Sequence, residues 1–424
     1  MASTDDRHGK RVRPYDFIET GVSVSKLLFL VHRIPFPPNK GDKIRSYNFL
    51  AYLAKEYEIY LGAFIDSAAD RRYRSELDRY CREACLVDLH PVKKRLLSTL
   101  ALLAGEPLSV RYFWDRQLSE WVKRVMCENK IENVLVFSSP MAKYIDELRG
   151  HFRYIVDFVD VDSQKWAQYG NEHRWPMSWI YTREGEKLLA YERNVASRSD
   201  CSVFVSRSEA ELFQKLAPEV SDRISYVENG VDTEYFRPSP SLATPYGEAD
   251  KVLVFTGAMD YWANVDSVIW FTREVLPAIR EAIRGVKFYI VGSNPVSAVT
   301  DLAQVDGVHV TGTVLDIRPY LQYANAAVAP LRIARGVQNK VLEAMAMAVP
   351  VIASPQALEG IENVGSADVY EGGSVESMKQ AAIDVLSRPR TVSEASRAFI
   401  TQGYDWNRNS AKLDQLLRGE YATA

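Results

Sequence analysis

The feature that most constrains the fold of this chain is an alternation of short, β-branched runs with longer helical segments. From Lys26, the run KLLFLVH is typical of a buried strand, IRSYNFLAYLAKE has a helical pattern, and YEIYLGAF is typical of the next strand. Strands that alternate with helices favour parallel sheets covered by helices. Further strands that complete one sheet are predicted in VLVFS, RYIVDFV, CSVFVS and ISYVENG. The sequence therefore predicts an α/β protein.

The alternation is interrupted at RPSPSLATPYGEAD, which occupies residues 237–250. Its three prolines cannot continue a helix or a central strand, so we predict an interdomain linker there. A second series follows, with strands predicted in VLVFTG, KFYIVG, VHVTG, AAVAPL and VPVIAS. We therefore predict two domains, over 26–236 and 251–403, a disordered extension at 1–25, and a C-terminal helix at 404–424 that completes the first domain.

Composition limits the functions that such domains can have. With 47% apolar and 25% charged residues, the chain has the composition of a globular protein. A formal net charge of -3 argues against a nucleic-acid-binding surface, which needs concentrated Lys and Arg. The cysteines form no CxxC pair, the histidines have no zinc-binding spacing, and the first residues do not resemble a secretory signal. These features predict a cytoplasmic protein with neither a nucleic-acid partner nor a bound metal.

The most informative segment is RIARGVQNKVLEAMAMAVP, from Arg332 to Pro350. Here a predicted strand leads into a glycine-containing turn and then into a helix, which Pro350 ends. The free amides after Gly336 and the positive end of the helix dipole suit an anion. Lys340 adds a full positive charge one turn further on. The segment therefore predicts a binding site for a diphosphate.

Glu343 follows Lys340 by three residues, so both side chains project from one face of a helix whose remaining positions are apolar. An ionised carboxylate has two acceptor oxygens and could take both hydroxyls of a ribose. The alternative is a Lys340–Glu343 ion pair that only solvates the helix face. The nearby Arg332 and Arg335 favour the nucleotide interpretation.

These motifs resemble those of the retaining glycosyltransferases of family 4, which have the GT-B fold. The strongest markers are NKVLEAMAMAVPVIAS, ENGVDTEYFRP and VTGTVLDIRPYL, and the likeness extends over nearly the whole chain. The resemblance implies two facing Rossmann-like domains with a cleft between them, the first holding an acceptor and the second a nucleotide-diphosphate sugar. It also implies that Glu343 holds the ribose, that Lys340 faces the diphosphate, and that Thr313 and Val314 border the base.

A narrower resemblance concerns HRIPFPPNKGDKIRS, DFVDVDSQKW and FTGAMDYWANVD, which are similar to segments of sugar transferases from bacterial exosortase exopolysaccharide loci. Two departures from the family affect the donor site. Where the family has a second Glu, eight residues before Glu343, this chain has Arg335, which can bind phosphate but accepts no hydrogen bond. After VLVFTG, many relatives carry an Arg and a Lys, whereas this chain has Asp260 and Asn264. The first departure leaves the identity of the donor sugar open, and the second shifts the phosphate contacts toward Arg335 and Lys340.

Further candidates for ligand contacts follow predicted strands. Gly257 ends VLVFTG, and Arg207 follows CSVFVS. Gly41 ends PFPPNKG, where the family uses a glycine-rich loop, and Lys40, Lys43 and Arg45 surround it. The alternative for Gly41 is a plain turn before a helix.

Asp160 and Asp162 form a DVD motif, which could be mistaken for the metal-binding DxD of another glycosyltransferase fold. We reject the metal-binding interpretation, because the motif ends a strand of the first sheet while the second half already supplies cationic groups for a phosphate. Relatives often carry a catalytic His near this position, and its absence here implies that Asp160 or Asp162 orients the acceptor or shares charge. A purely structural turn is the alternative.

The residue patterns and the resemblance to family 4 together imply a metal-independent glycosyltransferase that uses a nucleotide-sugar donor and a saccharide or polyprenyl-diphosphate-linked acceptor. In Val92–Phe113 the basic run KKR leads into a leucine-rich helix, which suits the inner surface of the plasma membrane, although a core-packed helix is the alternative. Two other functions remain open. One is a sugar-nucleotide 2-epimerase of the same fold, and the other is a non-catalytic sugar-nucleotide-binding protein.

Overall fold

The computed structural model describes residues 24–38, 41–99, 102, 105–148, 150–334, 336–361, 364–365 and 367–420. The chain divides into two compact units. The first unit contains the residues up to Val227 and those from Ser410 onward, and the second contains Glu228–Asn409. Each unit has its own parallel sheet and its own hydrophobic core.

In the described residues, the sheet of the first unit has seven strands in the order β3-β2-β1-β4-β5-β6-β7. These strands are β1 (Lys26–Val31), β2 (Glu58–Ile65), β3 (Glu83–Asp88), β4 (Asn133–Phe137), β5 (Arg153–Val159), β6 (Cys201–Phe204) and β7 (Ile224–Tyr226). All neighbouring strands are parallel. Residues Leu27 to Val31 of the central strand are completely buried, as expected where helices cover both faces of a sheet.

Helices connect these strands. They are α1 (Gly41–Leu53), α2 (Arg74–Leu77), α3 (Pro91–Ser98), α4 (Leu108–Tyr112), α5 (Arg116–Asn129), α6 (Asp162–Glu172), α7 (Met177–Arg198) and α8 (Arg207–Leu216), with 3-10 helices at Ala68–Tyr73, Ser139–Tyr144 and Pro218–Arg223. Local sequence fixes several helix starts. The side chain of Ser206, for example, accepts a hydrogen bond from the backbone N–H of Glu209 at 3.2 Å and so caps α8.

The described part of the second unit contains a six-stranded parallel sheet in the order β10-β9-β8-β11-β12-β13. These strands are β8 (Lys251–Thr256), β9 (Val286–Val291), β10 (Val308–Gly312), β11 (Ala326–Ala329), β12 (Val351–Ala353) and β13 (Val369–Glu371). The α-helices that follow along the chain are α9 (Trp262–Trp270), α10 (Leu276–Ala282), α11 (Ser297–Thr300), α12 (Arg318–Gln322), α13 (Asn339–Ala346), α14 (Pro355–Leu358), α15 (Val375–Leu386), α16 (Glu394–Gly403) and α17 (Trp406–Arg418). A π-helix at Phe271–Val275 joins α9 to α10, and a 3-10 helix spans Asp301–Gln304.

Both sheets share one winding pattern, in which the first strand lies between the second and the fourth. The direction of winding therefore changes between β1 and β4 and again between β8 and β11. In open α/β sheets, ligands bind beyond the carboxyl ends of the strands at such a switch point. The loops after β8 and β11 are accordingly the first place to seek a ligand site in the second unit.

The structure also locates the predicted boundary segments. Residues 1–23 of the predicted extension and 421–424 of the predicted C-terminal helix lie outside the described residues. Residues 237–250 lie in the second unit, where the hydroxyl of Tyr246 donates to the carbonyl oxygen of Tyr320 at 2.7 Å. The domain limits stay predictions. Among the helices described, none combines the length and apolar character that crossing a bilayer requires.

Candidate functional site

The start of α13 forms one side of the switch point in the second unit. After β11, Gly336 adopts a left-handed backbone conformation with φ of 63°, which glycine enters without the penalty of a Cβ atom. Gln338 follows, and its side chain donates to the carbonyl oxygen of Gly336 at 3.1 Å. Its own carbonyl accepts from the N–H of Val341 at 2.9 Å. Because the first N–H groups of a helix have no acceptor inside it, this start can donate to an anion.

Lys340 lies in the first turn of α13, and its side chain reaches the loop after β8. Its Nζ donates to Oδ1 of Asn264 at 2.8 Å and lies 5.0 Å from the centre of the Phe255 ring. Burial lowers the pKa of Lys340 from its usual 10.5 to about 8, although the nearby carboxylate of Glu343 acts in the opposite direction. An anionic ligand would therefore stabilise the charged form of this side chain.

Glu343 lies almost one turn after Lys340 on α13. Burial raises the pKa of its carboxyl group to about 7, against the lowering effect of Lys340. Within the part of the chain that the structure covers, no group donates a hydrogen bond to this carboxylate, and Lys340 pairs with Asn264 instead. The helix-face ion pair considered as an alternative is therefore not formed.

Glycines occupy the carboxyl ends of β8, β9 and β10. The N–H of Gly257 donates to the carbonyl oxygen of Val291 at 3.1 Å, and the N–H of Gly292 to that of Gly312 at 3.2 Å. A Cβ atom at position 292 would lie 1.6 Å from the carbonyl oxygen of Gly257, so a larger residue would displace the backbone. Sequence reasoning missed Gly292 and Gly312, although each ends a strand pattern as Gly257 does.

Other candidates at this edge of the sheet are more peripheral. Thr313 follows β10 and is exposed, while Val314 packs partly against the core of the second unit. Asp260 is exposed and accepts a hydrogen bond from Nδ2 of Asn294 at 3.3 Å. These three side chains lie at the same edge of the sheet as Gly257. The side-chain hydrogen bond of Lys340 goes to Asn264 and to none of them.

The structure describes only some of the basic residues that were predicted to contact phosphate. Arg335 and Lys40 lie outside the described residues. Arg332 donates from Nε to the carboxylate of Asp266 at 2.9 Å and also from Nη2, which ties it to α9. Lys340 is therefore the cation that the described residues place at the start of α13.

In the first unit, the DVD motif follows β5, and Asp162 begins α6. Nζ of Lys165 lies 2.7 Å from Asp160 and 3.0 Å from Asp162. Burial alone would lower the pKa of Lys165, but the two carboxylates raise it above its usual value. Val159, just before the motif, has a φ of 69°, which strains a β-branched residue. Among the described residues, no group of three or more His, Cys, Asp or Glu side chains is placed to hold a metal ion.

Gly41 is the first residue of α1, but the basic side chains that follow it point into the protein. Nζ of Lys43 donates to Oδ2 of Asp70 at 2.6 Å. Nε of Arg45 donates to Oδ2 of Asp157 at 2.7 Å. Both cations are buried and paired, so neither is available to a phosphate.

Two more polar residues lie at the carboxyl ends of the first sheet. Arg207 begins α8, and its Nη2 donates to the hydroxyl of Tyr226 at 2.7 Å. His32, which sequence reasoning missed, directly follows β1. Its Nε2 lies 3.1 Å from Oδ2 of Asp42, and its ring stacks on Phe137 with 5.8 Å between ring centres. The signal that could have found it is its position immediately after the strand KLLFLV.

The structure brings some of the predicted site residues together in two groups, one in each unit. Gly257, Lys340 and Glu343 come together in the second unit, where a Cβ atom at position 257 would lie 3.5 Å from Cε of Lys340. Asp160 and Asp162 share one lysine in the first unit. Among the described residues, the best candidate for a ligand site is therefore the ammonium of Lys340 and the carboxylate of Glu343 beside the glycines at the edge of the sheet.

Comparison with known proteins shows the family of this chain. The profile of the family described as Glycosyl transferases group 1 matches residues 250–388. The GDP-mannose-dependent alpha-(1-6)-phosphatidylinositol monomannoside mannosyltransferase of Mycobacterium tuberculosis (strain CDC 1551 / Oshkosh) is 31% identical over 268 residues, which cover 56% of this chain and 68% of the relative. The chain belongs to the group 1 glycosyl transferases. It is therefore an enzyme of the hexosyltransferase type.

Solved structures show how widely the fold of this glycosyl transferase is shared. Sucrose-phosphate synthase from Thermosynechococcus elongatus is 15% identical with a TM-score of 0.64, and the match covers 94% of this chain and 100% of that one. Anabaena Alr3699/HepE in complex with UDP is 15% identical with a TM-score of 0.61, and the match covers 93% of this chain and 100% of that one. These matches confirm the predicted GT-B fold class of two Rossmann-like α/β units.

The family match covers the part of the chain that contains the candidate site. Residues 250–388 include the strands and loops that hold Gly257, Lys340 and Glu343. They include Asn264 as well, whose contact with Lys340 could not be inferred from the sequence pattern. The part of the chain that defines the family therefore contains the glycine-lined switch point.

Proposed function

We propose that this glycosyl transferase moves a hexosyl group from a nucleotide-diphosphate sugar to a saccharide or polyprenyl-diphosphate-linked acceptor. In this proposal the transfer retains the anomeric configuration and serves bacterial exopolysaccharide synthesis. The donor binds in the second unit and the acceptor in the first. The observation that carries the proposal is that Lys340 and Glu343 present opposite charges from one helix at a switch point without pairing with each other.

Lys340 and the start of α13 suit the diphosphate of the donor. The amides and dipole at a helix N-terminus favour an anion, and Lys340 adds a cation whose burial lowers its pKa to about 8. A bound diphosphate would favour the protonated form and recover the cost of burying the charge. As the glycosidic bond breaks, negative charge grows on the phosphate oxygen, and a cation already fixed there stabilises the transition state.

Glu343 suits the ribose of the same donor. Its carboxylate has two acceptor oxygens and, among the described residues, no donor to occupy them. Two vicinal hydroxyl groups would satisfy both oxygens and favour the ionised form. A nucleoside diphosphate therefore suits the two charged side chains better than a simple phosphate, which would leave Glu343 without a partner.

The transfer step follows from these contacts. The bond between the anomeric carbon and the diphosphate oxygen breaks, and the acceptor hydroxyl forms a new bond to that carbon on the same face of the sugar. The hydroxyl proton passes to the leaving diphosphate, so the step needs no protein nucleophile. In this proposal the step also needs no metal, because Lys340 and the start of α13 provide positive charge. Both carboxylates of the DVD motif already form ion pairs with Lys165.

The decisive experiment is a transfer assay with purified protein. GDP-mannose is the first donor to test, because the mycobacterial relative is named for it, and UDP-glucose is the second. Each donor is incubated with and without a polyprenyl-diphosphate-linked saccharide. Acceptor-dependent release of the nucleoside diphosphate supports the proposal. Formation of an epimer without acceptor would identify a 2-epimerase, and binding without turnover would identify a non-catalytic protein.

Access to a lipid-linked acceptor suggests a cytoplasmic enzyme that associates with the inner face of the plasma membrane. The predicted membrane segment Val92–Phe113 lies partly outside the described residues, and within it Lys94 is buried against Asp115. Glu184 of α7 accepts hydrogen bonds from the N–H groups of Leu108 and Ser109, so α7 is attached to this segment.

The helical hairpin of α6 and α7 supports the same proposal. The turn between the two helices exposes 81% of Trp175, the first turn of α7 exposes 56% of Trp179, and Tyr169 of α6 is also exposed. Aromatic side chains of this kind favour the water–bilayer interface. Sedimentation with liposomes, with and without anionic lipid, tests the idea. The double substitution Trp175→Ser and Trp179→Ser should reduce binding, whereas Val392→Ser, which alters an exposed apolar residue of the second unit, should not.

A further inference from the structure

Asn264 links the two loops of the switch point through its side-chain amide. It lies in the first turn of α9 and is only 5% exposed. Its Oδ1 accepts from Nζ of Lys340 at 2.8 Å, and its Nδ2 donates to the carbonyl oxygen of Ala258 at 2.9 Å. Since Ala258 follows Gly257 in the loop after β8, the amide fixes the end of the Lys340 side chain to that loop.

Gly257 provides the space for this contact. A Cβ atom at position 257 would lie 2.7 Å from Nδ2 of Asn264 and 3.5 Å from Cε of Lys340. Its φ of 152° is also a conformation that side chains disfavour. The glycine therefore lets the amide and the ammonium pack against the backbone at the carboxyl end of β8.

The chemistry of the amide matters for what Lys340 can still bind. An ammonium has three N–H donors, and the amide oxygen of Asn264 takes one without cancelling the positive charge. The aromatic ring of Phe255 also attracts a cation without neutralising it. Glu343 is the charged group that acts on Lys340 from the same helix, and it forms no ion pair with it. The ammonium thus keeps its charge and further donors for a ligand.

We propose that Asn264 is a positioning residue for Lys340, which it holds beside Gly257 so that the diphosphate of a donor nucleotide meets a cation already in place. The inference rests on the proposed function and extends it to a residue outside the predicted site. A side chain fixed before binding loses less conformational freedom when the ligand arrives. Asn264 itself does not need to touch the donor.

Two substitutions of similar size separate this role from simple packing. Asn264→Leu removes the acceptor, so burial acts on Lys340 without a polar partner and its pKa should fall. Asn264→Asp places a carboxylate beside the ammonium, so the pKa of Lys340 should rise while its charge is neutralised. Both variants should bind a diphosphate less tightly. Diphosphate affinity should fall at high pH as Lys340 deprotonates, and this fall is the alkaline limb of the binding profile. The limb should move to lower pH in Asn264→Leu and to higher pH in Asn264→Asp.

The test is isothermal titration of the purified full chain with GDP and UDP at pH values on either side of about 8, the value to which burial lowers the pKa of Lys340. Guanosine and uridine, which lack phosphate, are titrated in parallel. We expect both variants to lose about tenfold or more in affinity for the diphosphates, as for a lost bond to a charged group, and little for the nucleosides. Ser267→Ala is the matched control, since Ser267 is buried in the same helix and bonds to Ala263 of that helix.

Each result bears on a distinct conclusion. If Lys340→Ala loses diphosphate affinity while Asn264→Leu binds like the wild type, the positioning role is wrong and the proposed function stands. If both Asn264 variants lose nucleosides and diphosphates equally, with no opposite shift of the alkaline limb, Asn264 serves only to pack the loop. If Lys340→Ala retains full affinity for both diphosphates, the proposed donor site is itself wrong.

Discussion

Arg45 and Asp157 form a completely buried ion pair that joins α1 to β5 in the first unit. Nε of Arg45 lies 2.7 Å from Oδ2 of Asp157, and Nη2 lies 3.2 Å from Oδ1. The same guanidinium donates from Nη1 to the carbonyl oxygen of Val227 at 2.7 Å. Burial raises the pKa of Asp157, and Arg45 opposes that shift. The pair is therefore a structural connection between elements that are distant in the sequence.

Removing one partner of this pair should be costly. Arg45→Ala would leave the Asp157 carboxylate buried without its partner, and we expect a loss of about 3 to 5 kcal/mol in the free energy of unfolding. Denaturation followed by circular dichroism measures this loss. Arg71→Ala is the control, since Arg71 pairs with Asp88 at the surface and should contribute little. Equal effects of the two substitutions would contradict a structural role for the buried pair.

The alternation of strands and helices predicted most of both sheets. It missed β3 and β13, which lie at the edges of their sheets. β3, with the sequence EACLVD, includes Glu83 and Cys85 and lacks a run of β-branched residues. β13 has only three residues. An edge strand packs against fewer neighbours, so its sequence is less constrained and its pattern is weaker.

The candidate site was predictable where a motif follows a strand, as at Lys340 and Glu343. It was not predictable where a side chain pairs with a residue that is distant in the sequence. Lys43 and Arg45 look like phosphate ligands beside Gly41, but their carboxylate partners are 27 and 112 positions away in the chain. Asn264 lies 76 positions from Lys340. A pattern of neighbouring residues cannot reveal such pairs, because the fold alone brings them together.

The close approach of Gly292 to Gly257 gives a second prediction. Gly292→Ala would place a methyl group 1.6 Å from the carbonyl oxygen of Gly257, so the backbone must move. We expect a loss of about 1 to 3 kcal/mol in stability, as for other overpacked positions, and weaker binding of GDP or UDP. Thermal unfolding and titration measure the two effects. Gly403→Ala should be neutral or stabilising, since no atom lies within 4 Å of the added group.

Lys340 gives a third prediction, which concerns turnover. Lys340→Ala removes the cation that would stabilise the leaving diphosphate, and we expect kcat to fall by about 100-fold or more, as for loss of a main transition-state donor. The thermal unfolding temperature should stay near that of the wild type. Lys379→Ala is the matched control, since Lys379 belongs to α15 of the same unit and pairs with Glu376. A normal kcat in Lys340→Ala would contradict the proposed mechanism.

Glu343 and Lys340 together predict an unusual pH dependence. The pKa of Glu343 is raised to about 7, so the ionised carboxylate that would accept the ribose hydroxyls becomes dominant above that pH. The pKa of Lys340 is lowered to about 8, so the ammonium is lost above that value. Donor kcat/KM should therefore rise through pH 7 and fall through pH 8, since this quantity reports the ionisation of the free enzyme.

Glu343→Gln should remove the rising limb of this profile and leave the falling limb. The amide cannot ionise and retains only one acceptor oxygen, so we expect kcat/KM near pH 8 to fall by about tenfold. Because Glu343 also favours the charged form of Lys340, its loss should move the falling limb to lower pH. A steady-state pH series with the donor identified by the transfer assay measures both limbs. A rising limb that stays near 7 in Glu343→Gln would assign that ionisation to another group and would separate Glu343 from donor binding.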